Sequence, residues 1–186
     1  MIVLARHGET EWSASGQHTS RTDIPLTERG REAARALSTR LATHEFALVL
    51  ASPRRRARET AELAGFAPGL EPDLTEVDYG SYEGRTTPEI RERRPGWTLW
   101  ADGTPDGESL AAAGARADRV LARAQAAGGD VLLFAHGHIL RVLAARWLGL
   151  PPERGASFAL GTATLSELGF ERESRVLERW NVPASY

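Results

Sequence analysis

The sequence lacks cysteine and lysine, and each absence restricts the chemistry that the chain can perform. Without cysteine, disulfide bonds, thiolate nucleophiles and cysteine-based zinc sites are excluded. Without lysine, Schiff-base chemistry on a side chain is excluded, and all 23 basic residues are arginine. A covalent intermediate in this chain therefore cannot form on either of these two side chains.

Long hydrophobic runs and a strong excess of one charge are also missing. No stretch approaches the roughly 18 apolar residues of a membrane span, and the N-terminus lacks the basic and apolar segments of a signal peptide. The formal net charge is −2, so no overall basic field indicates nucleic acid as a partner. We therefore expect a cytoplasmic protein that binds neither membranes nor nucleic acid.

What is present indicates a globular domain in which strands and helices alternate. The chain has 186 residues, 41% of them hydrophobic and 26% charged, and is expected to form a single domain over residues 1–186. Strand candidates are Ile2–Ala5, Phe46–Ala51, Val131–Ala135, Ala163–Leu168 and Arg175–Trp180. Helical patterns cover about Thr27–Thr43, Pro53–Ala64, Gly107–Ala127 and Ile139–Leu148.

This alternation predicts an α/β fold, a three-layer sandwich with a mostly parallel central sheet and helices on both faces. The last two strands are close in sequence and are expected to pair as a hairpin at one edge. A small helical excursion, at about residues 85–128, is expected over the carboxyl edge of the sheet. Its first part, Arg85–Asp106, is rich in proline, glycine, tryptophan and charge. Trp97 and Trp100 either line a substrate cleft there or pack beneath the excursion.

Two of the predicted strands end in the same dipeptide. Arg6, His7 and Gly8 follow the first strand, and His136 and Gly137 follow a strand late in the chain. Ligands of parallel α/β sheets bind at the carboxyl ends of the strands. A cation, a nucleophile and a flexible backbone position at such an end predict a site that binds and attacks a phosphate.

His7 is the candidate nucleophile. A neutral imidazole attacks phosphorus readily, and nearby arginines favour the neutral form. The rival interpretation is a zinc site built from His7, His18, His136 and His138. That set lacks the two histidines four residues apart, with a glutamate, that mark helical zinc hydrolases. Phosphate chemistry is therefore favoured, and no metal is expected.

The segment after the second strand is a further candidate for anion binding. Ser52 suits a helix N-cap and Pro53 suits the first helical position. Four arginines follow within a turn and a half: Arg54, Arg55, Arg56 and Arg58. Cations oppose the helix dipole at this end, and a bound anion would convert the conflict into an attraction. A solvated basic face is the alternative for all of them except Arg56.

Four blocks of the sequence, in order along the chain, resemble the motifs of the histidine phosphatase superfamily, the phosphoglycerate mutase-like proteins. The first block is RHGETEW at residues 6–12, continued by TDIPLTERG at residues 22–30. The second is SPxxRAxxTA at residues 52–61, the third is LxExDYGxYEG at residues 74–84, and the fourth is AHGH at residues 135–138. The Arg-His-Gly motif alone is weak evidence, whereas four ordered blocks with compatible spacing are specific.

The resemblance implies a covalent mechanism without a cofactor. His7 attacks phosphorus in line and becomes a phosphohistidine. Arg6, Arg56 and His136 contact the non-bridging oxygens, which suits a reaction catalysed mainly by positioning and charge neutralisation. Glu76 protonates the leaving oxygen and then deprotonates the water that hydrolyses the phosphohistidine.

The resemblance also implies further substrate contacts, with two departures from the family pattern, at Ser13 and at Ser20, where the family frequently has glycine. Ser13 stands six residues after His7, where the family often has asparagine, and its hydroxyl can still donate one hydrogen bond to phosphate. The remaining candidates are a backbone N–H near Gly137 and the side chains of Gln17, His18, Thr19 and Ser20. An exposed loop is the alternative for Gln17 and His18.

The resemblance favours the phosphatase branch of the family. It implies a phosphomonoester hydrolase that acts on a small phosphorylated metabolite, for example a sugar phosphate. A 2,3-bisphosphoglycerate-dependent phosphoglycerate mutase is the first alternative, and the chain is short for it. A catalytically weak phospho-ligand binding protein is the second, and the complete set of implied catalytic residues argues against it. The sequence leaves homo-oligomer formation open.

Overall fold

The computed structural model describes residues 1–184, and its central feature is a six-stranded sheet. The strands are β1 (Ile2–Arg6), β2 (Phe46–Ala51), β3 (Gly69–Leu70), β4 (Asp130–Ala135), β5 (Thr164–Glu171) and β6 (Ser174–Pro183). Their spatial order is β3-β2-β4-β1-β5-β6. The β1–β4, β2–β4 and β2–β3 pairs are parallel, whereas β5 is antiparallel to β1 and β6. The mostly parallel sheet and the edge hairpin are both confirmed.

Helices cover both faces of this sheet. They are α1 (Glu11–Ser15), α2 (Glu28–Leu41), α3 (Arg55–Leu63), α4 (Thr87–Arg93), α5 (Leu99–Asp102), α6 (Leu110–Gln125) and α7 (Gly137–Trp147). Ile2 and Leu4 of β1 share one apolar cluster with α6 and α7. Val3 and Ala5 share a second cluster with α2 and α3. Because successive strand residues point to opposite faces, the two clusters are the two interfaces of the predicted three-layer sandwich.

The excursion over the sheet edge consists of the two short helices α4 and α5. Thr86 and Glu89 form a capping box that begins α4, and the Thr98 hydroxyl accepts the Ala101 N–H to begin α5. Helix α6 instead lies in the helix layer that packs on one face of the sheet, because its stripe of small and aliphatic residues is buried in the core. Among residues 1–184, no helix has the length and apolar character needed to cross a membrane.

The start of α3 differs from the expectation. The N-cap is Arg54 and the first helical residue is Arg55, so Ser52 is not the N-cap and Pro53 is not at the first helical position. The Ser52 hydroxyl is held by His136, which lies outside this segment, and the helix begins only after Arg54. The hydroxyl lies 2.8 Å from Nε2 of His136 and accepts the Arg54 N–H at 3.3 Å.

The parallel strands bring their carboxyl ends together around β4. The His7 N–H donates to the Ala135 carbonyl at 3.0 Å, and the Ser52 N–H donates to the Phe134 carbonyl at 2.9 Å. Both bonds extend the sheet one residue past the strand ends. The segments that follow β1, β2 and β4 therefore meet at one edge, as the sequence predicts.

Two glycines allow the loop after β1 to touch the start of α2. A Cβ atom added to Gly30 would lie 2.2 Å from the Glu9 carbonyl oxygen, and one added to Gly8 would lie 2.4 Å from the Gly30 carbonyl oxygen. Both distances are well below van der Waals contact, and all the atoms involved are backbone. This close approach fixes the residue that follows His7 against the second layer of the fold.

Replacement of Gly30 by alanine tests this contact, because helix propensity and the backbone clash change the stability in opposite directions. Helix propensity alone predicts that Gly30→Ala stabilises the protein by up to about 1 kcal/mol. The backbone clash predicts instead a loss of about 2 kcal/mol or more in the free energy of unfolding. Urea unfolding measures the change, with Ser38→Ala at an exposed position of α2 as the control. A stabilised Gly30→Ala protein would show that the contact is unimportant.

Candidate active site

A cavity of about 180 Å³ opens at the carboxyl edge of the sheet. Eight of the predicted site residues line it: Arg6, His7, Ser13, Gln17, His18, Thr19, Glu76 and Gly137. Six further residues complete the wall: Thr10, Gly16, Tyr79, His138, Arg141 and Leu160. Of these, only His138 was a candidate from the sequence, as a member of the rival zinc site. The predicted residues Arg56, His136 and Ser20 are buried outside this wall.

His7 is held in an orientation that suits a nucleophile. Its side chain is buried, and Nδ1 lies 2.7 Å from the Gly8 carbonyl oxygen, to which it donates a hydrogen bond. The proton is thereby assigned to Nδ1, and Nε2 keeps its lone pair. Burial, followed by the charges of Arg56 and Arg6, lowers the pKa of His7 well below its usual range. The imidazole is therefore neutral at physiological pH.

Arg6 supplies a cation beside this imidazole. Its Nη1 donates to the Leu160 carbonyl at 2.5 Å, whereas its Nε is buried without a hydrogen-bond partner in the structure. A Cβ atom added to Gly137 would lie 3.4 Å from the Arg6 guanidinium carbon. The guanidinium therefore lies against the first turn of α7 with a donor unused, and an unused buried donor suits an anionic ligand.

Arg56 and His136 form a buried layer behind His7. The rings of His7 and His136 lie 5.1 Å apart. Arg56 Nε donates to His136 Nδ1 at 3.1 Å, so the proton of His136 is assigned to Nε2, which donates to the Ser52 hydroxyl. Burial, followed by the charge of Arg56, lowers the pKa of His136 well below its usual range.

This layer also positions the loop that forms the opposite wall. The two terminal nitrogens of Arg56 donate to the carbonyls of Thr22 and Thr19, at 3.0 and 3.1 Å. Ser20 turns away from the cavity, and its hydroxyl donates to the Glu83 carboxylate at 2.5 Å. The structure thus gives Arg56 a clear positioning task, and its predicted contact with phosphate stays a prediction, as does that of Ser20.

Glu76 occupies the N-terminus of α7. Its Oε2 accepts the His138 N–H at 3.0 Å, and its Oε1 accepts the N–H groups of Ile139 and Val77, both at 2.9 Å. Negative charge is favoured at a helix N-terminus. The three donors fix the carboxylate in the wall of the cavity, opposite the loop that carries Thr19.

Two of the predicted contacts use their polar atoms in local structure. Ser13 and Thr10 form the capping box of α1, in which the Ser13 hydroxyl accepts the Thr10 N–H at 2.8 Å and the Thr10 hydroxyl accepts the Ser13 N–H at 3.1 Å. The Ser13 hydroxyl also donates to the Thr10 carbonyl at 3.0 Å. The Gln17 amide donates to the Gly84 carbonyl at 2.8 Å. Both residues line the cavity, and their contact with substrate stays a prediction.

One part of the cavity wall is built from aromatic and imidazole rings. The Tyr79 hydroxyl donates to His138 Nδ1 at 2.5 Å, and the Tyr79 and His18 rings lie 4.7 Å apart. Burial, followed by the charge of Arg141, lowers the pKa of His138 well below its usual range, and burial raises that of Tyr79. Trp97 packs beneath these rings in the core, at 2% exposure, rather than lining the cavity.

The site combines a neutral nucleophile, an arginine with a free donor and a carboxylate around a small volume. Within residues 1–184, no group of three or more histidine, aspartate and glutamate side chains is arranged to hold a metal ion. Positive charge at this edge is supplied by arginine. Such a set can attack phosphorus, neutralise charge and transfer a proton.

The buried neutral histidines lead to a prediction about how stability depends on pH. Because His7 and His136 have lowered pKa values, the folded state binds fewer protons than the unfolded state below about pH 6.5. Stability is therefore lost as pH falls, by roughly 1.4 kcal/mol per pH unit for each such histidine. Urea unfolding at pH 7, 6 and 5 measures this slope. His136→Asn should flatten it, and an unchanged slope in that variant would contradict the assignment.

Comparison with known proteins places the chain in a family. The model of the histidine phosphatase superfamily (branch 1) matches residues 2–183. An acid phosphatase of Mycobacterium tuberculosis is 45% identical over 184 residues, which cover 95% of this chain and 89% of that protein. A sedoheptulose 1,7-bisphosphatase of Saccharomyces cerevisiae is 36% identical over 182 residues, which cover 80% of this chain and 67% of that protein.

A solved structure agrees with the sequence comparison. The product of an open reading frame from Mycobacterium tuberculosis superposes with a TM-score of 0.95 at 42% identity, over 98% of this chain and 97% of that one. The fold, the order of the motifs and the relatives all agree. The chain therefore belongs to the histidine phosphatase superfamily (branch 1), and it is a phosphatase.

Proposed function

We propose that this phosphatase hydrolyses small phosphomonoesters through a phosphohistidine on Nε2 of His7. The observation that carries the proposal is the hydrogen bond from Nδ1 to the Gly8 carbonyl, which leaves Nε2 unprotonated beside the cavity. A buried neutral imidazole needs no base to activate it. The adjacent Arg6, with a free buried donor, supplies the charge that a phosphoryl group needs.

The proposed reaction has two steps. In the first, the bond from Nε2 to phosphorus forms, the bond from phosphorus to the ester oxygen breaks, and Glu76 gives the leaving oxygen a proton. In the second step, Glu76 takes a proton from water, the water oxygen bonds to phosphorus, and the bond between phosphorus and Nε2 of His7 breaks. Oε2 of Glu76 accepts one N–H whereas Oε1 accepts two, so Oε2 is the better placed to carry the proton.

We also propose that Arg56 and His136 act from behind His7. After burial, the charge of Arg56 helps to keep the His7 imidazole neutral, and its hydrogen bond to the Thr19 carbonyl holds that loop in place. His136 in turn accepts a hydrogen bond from Arg56. Contact of either residue with the phosphate oxygens is part of the proposal. The family resemblance supports that contact.

The substrate that we propose is a small phosphorylated metabolite such as a sugar phosphate. The cavity of about 180 Å³ suits a compact molecule. The yeast relative is named for a sugar bisphosphate, which is the same chemical class. A phosphorylated protein segment would need a longer open groove.

Loss of the nucleophile tests the covalent mechanism. We expect His7→Ala to lower kcat for p-nitrophenyl phosphate at least about a thousandfold and to abolish acid-labile labelling by a radioactive phosphoester. His44→Ala, which changes a histidine outside the cavity wall, is the matched control and should keep both activity and label. Full turnover in His7→Ala would overturn the phosphohistidine.

Loss of the proton donor should depend on the leaving group. Glu76→Gln is expected to lower kcat/KM for an alkyl phosphate about 100- to 10,000-fold. The loss should be much smaller for p-nitrophenyl phosphate, whose leaving group departs without a proton. Steady-state kinetics on both substrates measures the ratio, and equal losses would remove Glu76 from the acid role.

A comparison of hydrolysis and isomerisation distinguishes the phosphatase from a mutase. We expect phosphate release from a panel of phosphoesters to exceed the conversion of 3-phosphoglycerate to its isomer. Faster isomerisation, with 2,3-bisphosphoglycerate present as the primer, would favour the mutase. Tight binding without turnover of any ester would favour a phospho-ligand binding protein.

A further inference from the structure

One face of α6 fastens the segment that leads to Glu76. Arg116, Arg119 and Arg123 stand three and four residues apart on this helix, so their side chains share one face of it. Arg119 and Arg123 are exposed and pair with carboxylates of the segment before Glu76. Arg116 is buried, at 7% exposure. Its position therefore differs from that of the two surface ion pairs beside it.

Arg116 reaches the backbone directly before Glu76. Its Nη1 donates to the carbonyls of Asp73 and Thr75, both at 2.6 Å. Its Nε and Nη2 donate to the two carboxylate oxygens of Glu108, at 2.7 and 2.9 Å. A guanidinium has five N–H protons in a rigid plane, and this one uses four of them. The group is therefore held in one orientation.

The partner of Arg116 holds the same segment on the other side of Glu76. The Glu108 N–H donates to the Asp78 carbonyl at 2.9 Å. The ion pair and this hydrogen bond thus fasten carbonyls on both sides of Glu76, and the buried stripe of α6 anchors them in the core. The backbone around Glu76 is therefore attached to α6, whereas its carboxylate is bound by the first turn of α7.

Arg116 does not border the cavity of the proposed site. It lines a separate cavity of about 440 Å³, and Glu76 borders both cavities. Burial is the main cause of the lowered pKa of His136, and the charge of Arg116 contributes a smaller part. Arg116 can therefore affect the reaction through the position of Glu76 or through its own charge, and an experiment must separate the two.

We propose that Arg116 is a positioning residue that holds the Glu76 carboxylate where it protonates the leaving oxygen. It acts through the Asp73 and Thr75 carbonyls and through its pairing with Glu108. The proposal rests on the phosphatase function above and adds a residue to its proton transfer. Misplacement of a reacting group by about 1 Å costs on the order of 100-fold in rate. Loss of Arg116 should therefore impair the proton transfer more than the attack by the nucleophile.

The dependence on the leaving group tests this role. Arg116→Met should lower kcat/KM for an alkyl phosphate at least about tenfold more than for p-nitrophenyl phosphate, whose leaving group departs without a proton. Because kcat/KM covers only the steps up to the transfer of the phosphoryl group, hydrolysis of the phosphohistidine does not enter the comparison. Arg119→Met, on the same face of α6 but exposed, is the matched control and should keep the wild-type ratio within about threefold. Equal losses on both esters in Arg116→Met would overturn the proposal.

A double-mutant cycle shows whether Arg116 acts through Glu76. In the Glu76→Gln background the acid is absent, so Arg116→Met should add less than about threefold to the loss on the alkyl phosphate. A further loss of about tenfold or more would assign the effect to another route and overturn the proposal.

Arg116→Lys separates charge from position. It keeps the charge but offers three donors to the four acceptor atoms, so it should show part of the leaving-group effect. The full wild-type ratio in this variant would attribute the effect to charge and contradict a positioning role.

A paired substitution guards against a variant that fails to fold. Arg116→Met alone leaves Glu108, which is largely buried, without its partner, and this destabilises the protein. Arg116→Met combined with Glu108→Gln removes both charges and should show the same leaving-group effect. Urea unfolding checks that the double variant is folded under the assay conditions. A folded double variant with the wild-type ratio would show that Arg116 has no part in the proton transfer.

Hydrogen exchange measured by NMR gives a readout that does not depend on turnover. The His138 and Ile139 N–H groups lie in the first turn of α7, where no intrahelical partner exists, and they donate to the Glu76 carboxylate. In Arg116→Met their exchange should be at least about tenfold faster relative to that of Leu132 in the core of the sheet. If the wild type hydrolyses no phosphoester but this local change is present, the phosphatase mechanism fails and the positioning of the carboxylate stands. An equal change at all three amides would show that Arg116 serves only global stability.

Discussion

The hydrogen bonds of β4 with β1 on one side and β2 on the other continue one residue beyond the strands, and the site depends on this extension. Through it, His7 is tied to Ala135 and Ser52 to Phe134. Three segments that are far apart in sequence are thereby held in register by rigid backbone rather than by mobile loops. The contact between Gly8 and Gly30 adds a second constraint from the helix layer. The nucleophile is therefore oriented by the sheet together with helix α2, which packs on one face of it.

Electrostatics at this edge depends on the separation of arginine from carboxylate. Elsewhere in the described chain, arginines such as Arg116, Arg119 and Arg146 face acidic partners. At the cavity, Arg6 and Arg141 donate to carbonyl oxygens and form no ion pair within residues 1–184, and Glu76 is the carboxylate whose charge acts on both of them. The histidines are neutral because they are buried and lie next to these cations. A field that favours anions thus arises without any metal ligand set in residues 1–184.

The sequence predicted the elements whose signals are local and strong. Phe46–Ala51 is an apolar run between polar segments, and the structure has that strand with the same bounds. The predicted start of α3 was wrong. The Ser52 hydroxyl contacts His136, which is 84 residues away in the sequence, and rules for helix starts consider only neighbouring residues. The positions of Tyr79 and Arg141 in the cavity wall were missed for a similar reason. Only the fold shows which face of α7 borders the cavity, although the spacing of four residues from Gly137 was a usable signal.

Helix α7 brings several parts of the site onto one rigid body. Its first turn lies against Arg6, its amide groups hold Glu76, and its next turn carries Arg141. The helix therefore sets the spacing between these groups through its constant rise per residue. Substitutions in the surrounding loops can change the shape of the cavity, but the spacing between the groups that α7 positions stays constant. A different spacing of these groups would require one of them to stand at another position of the helix.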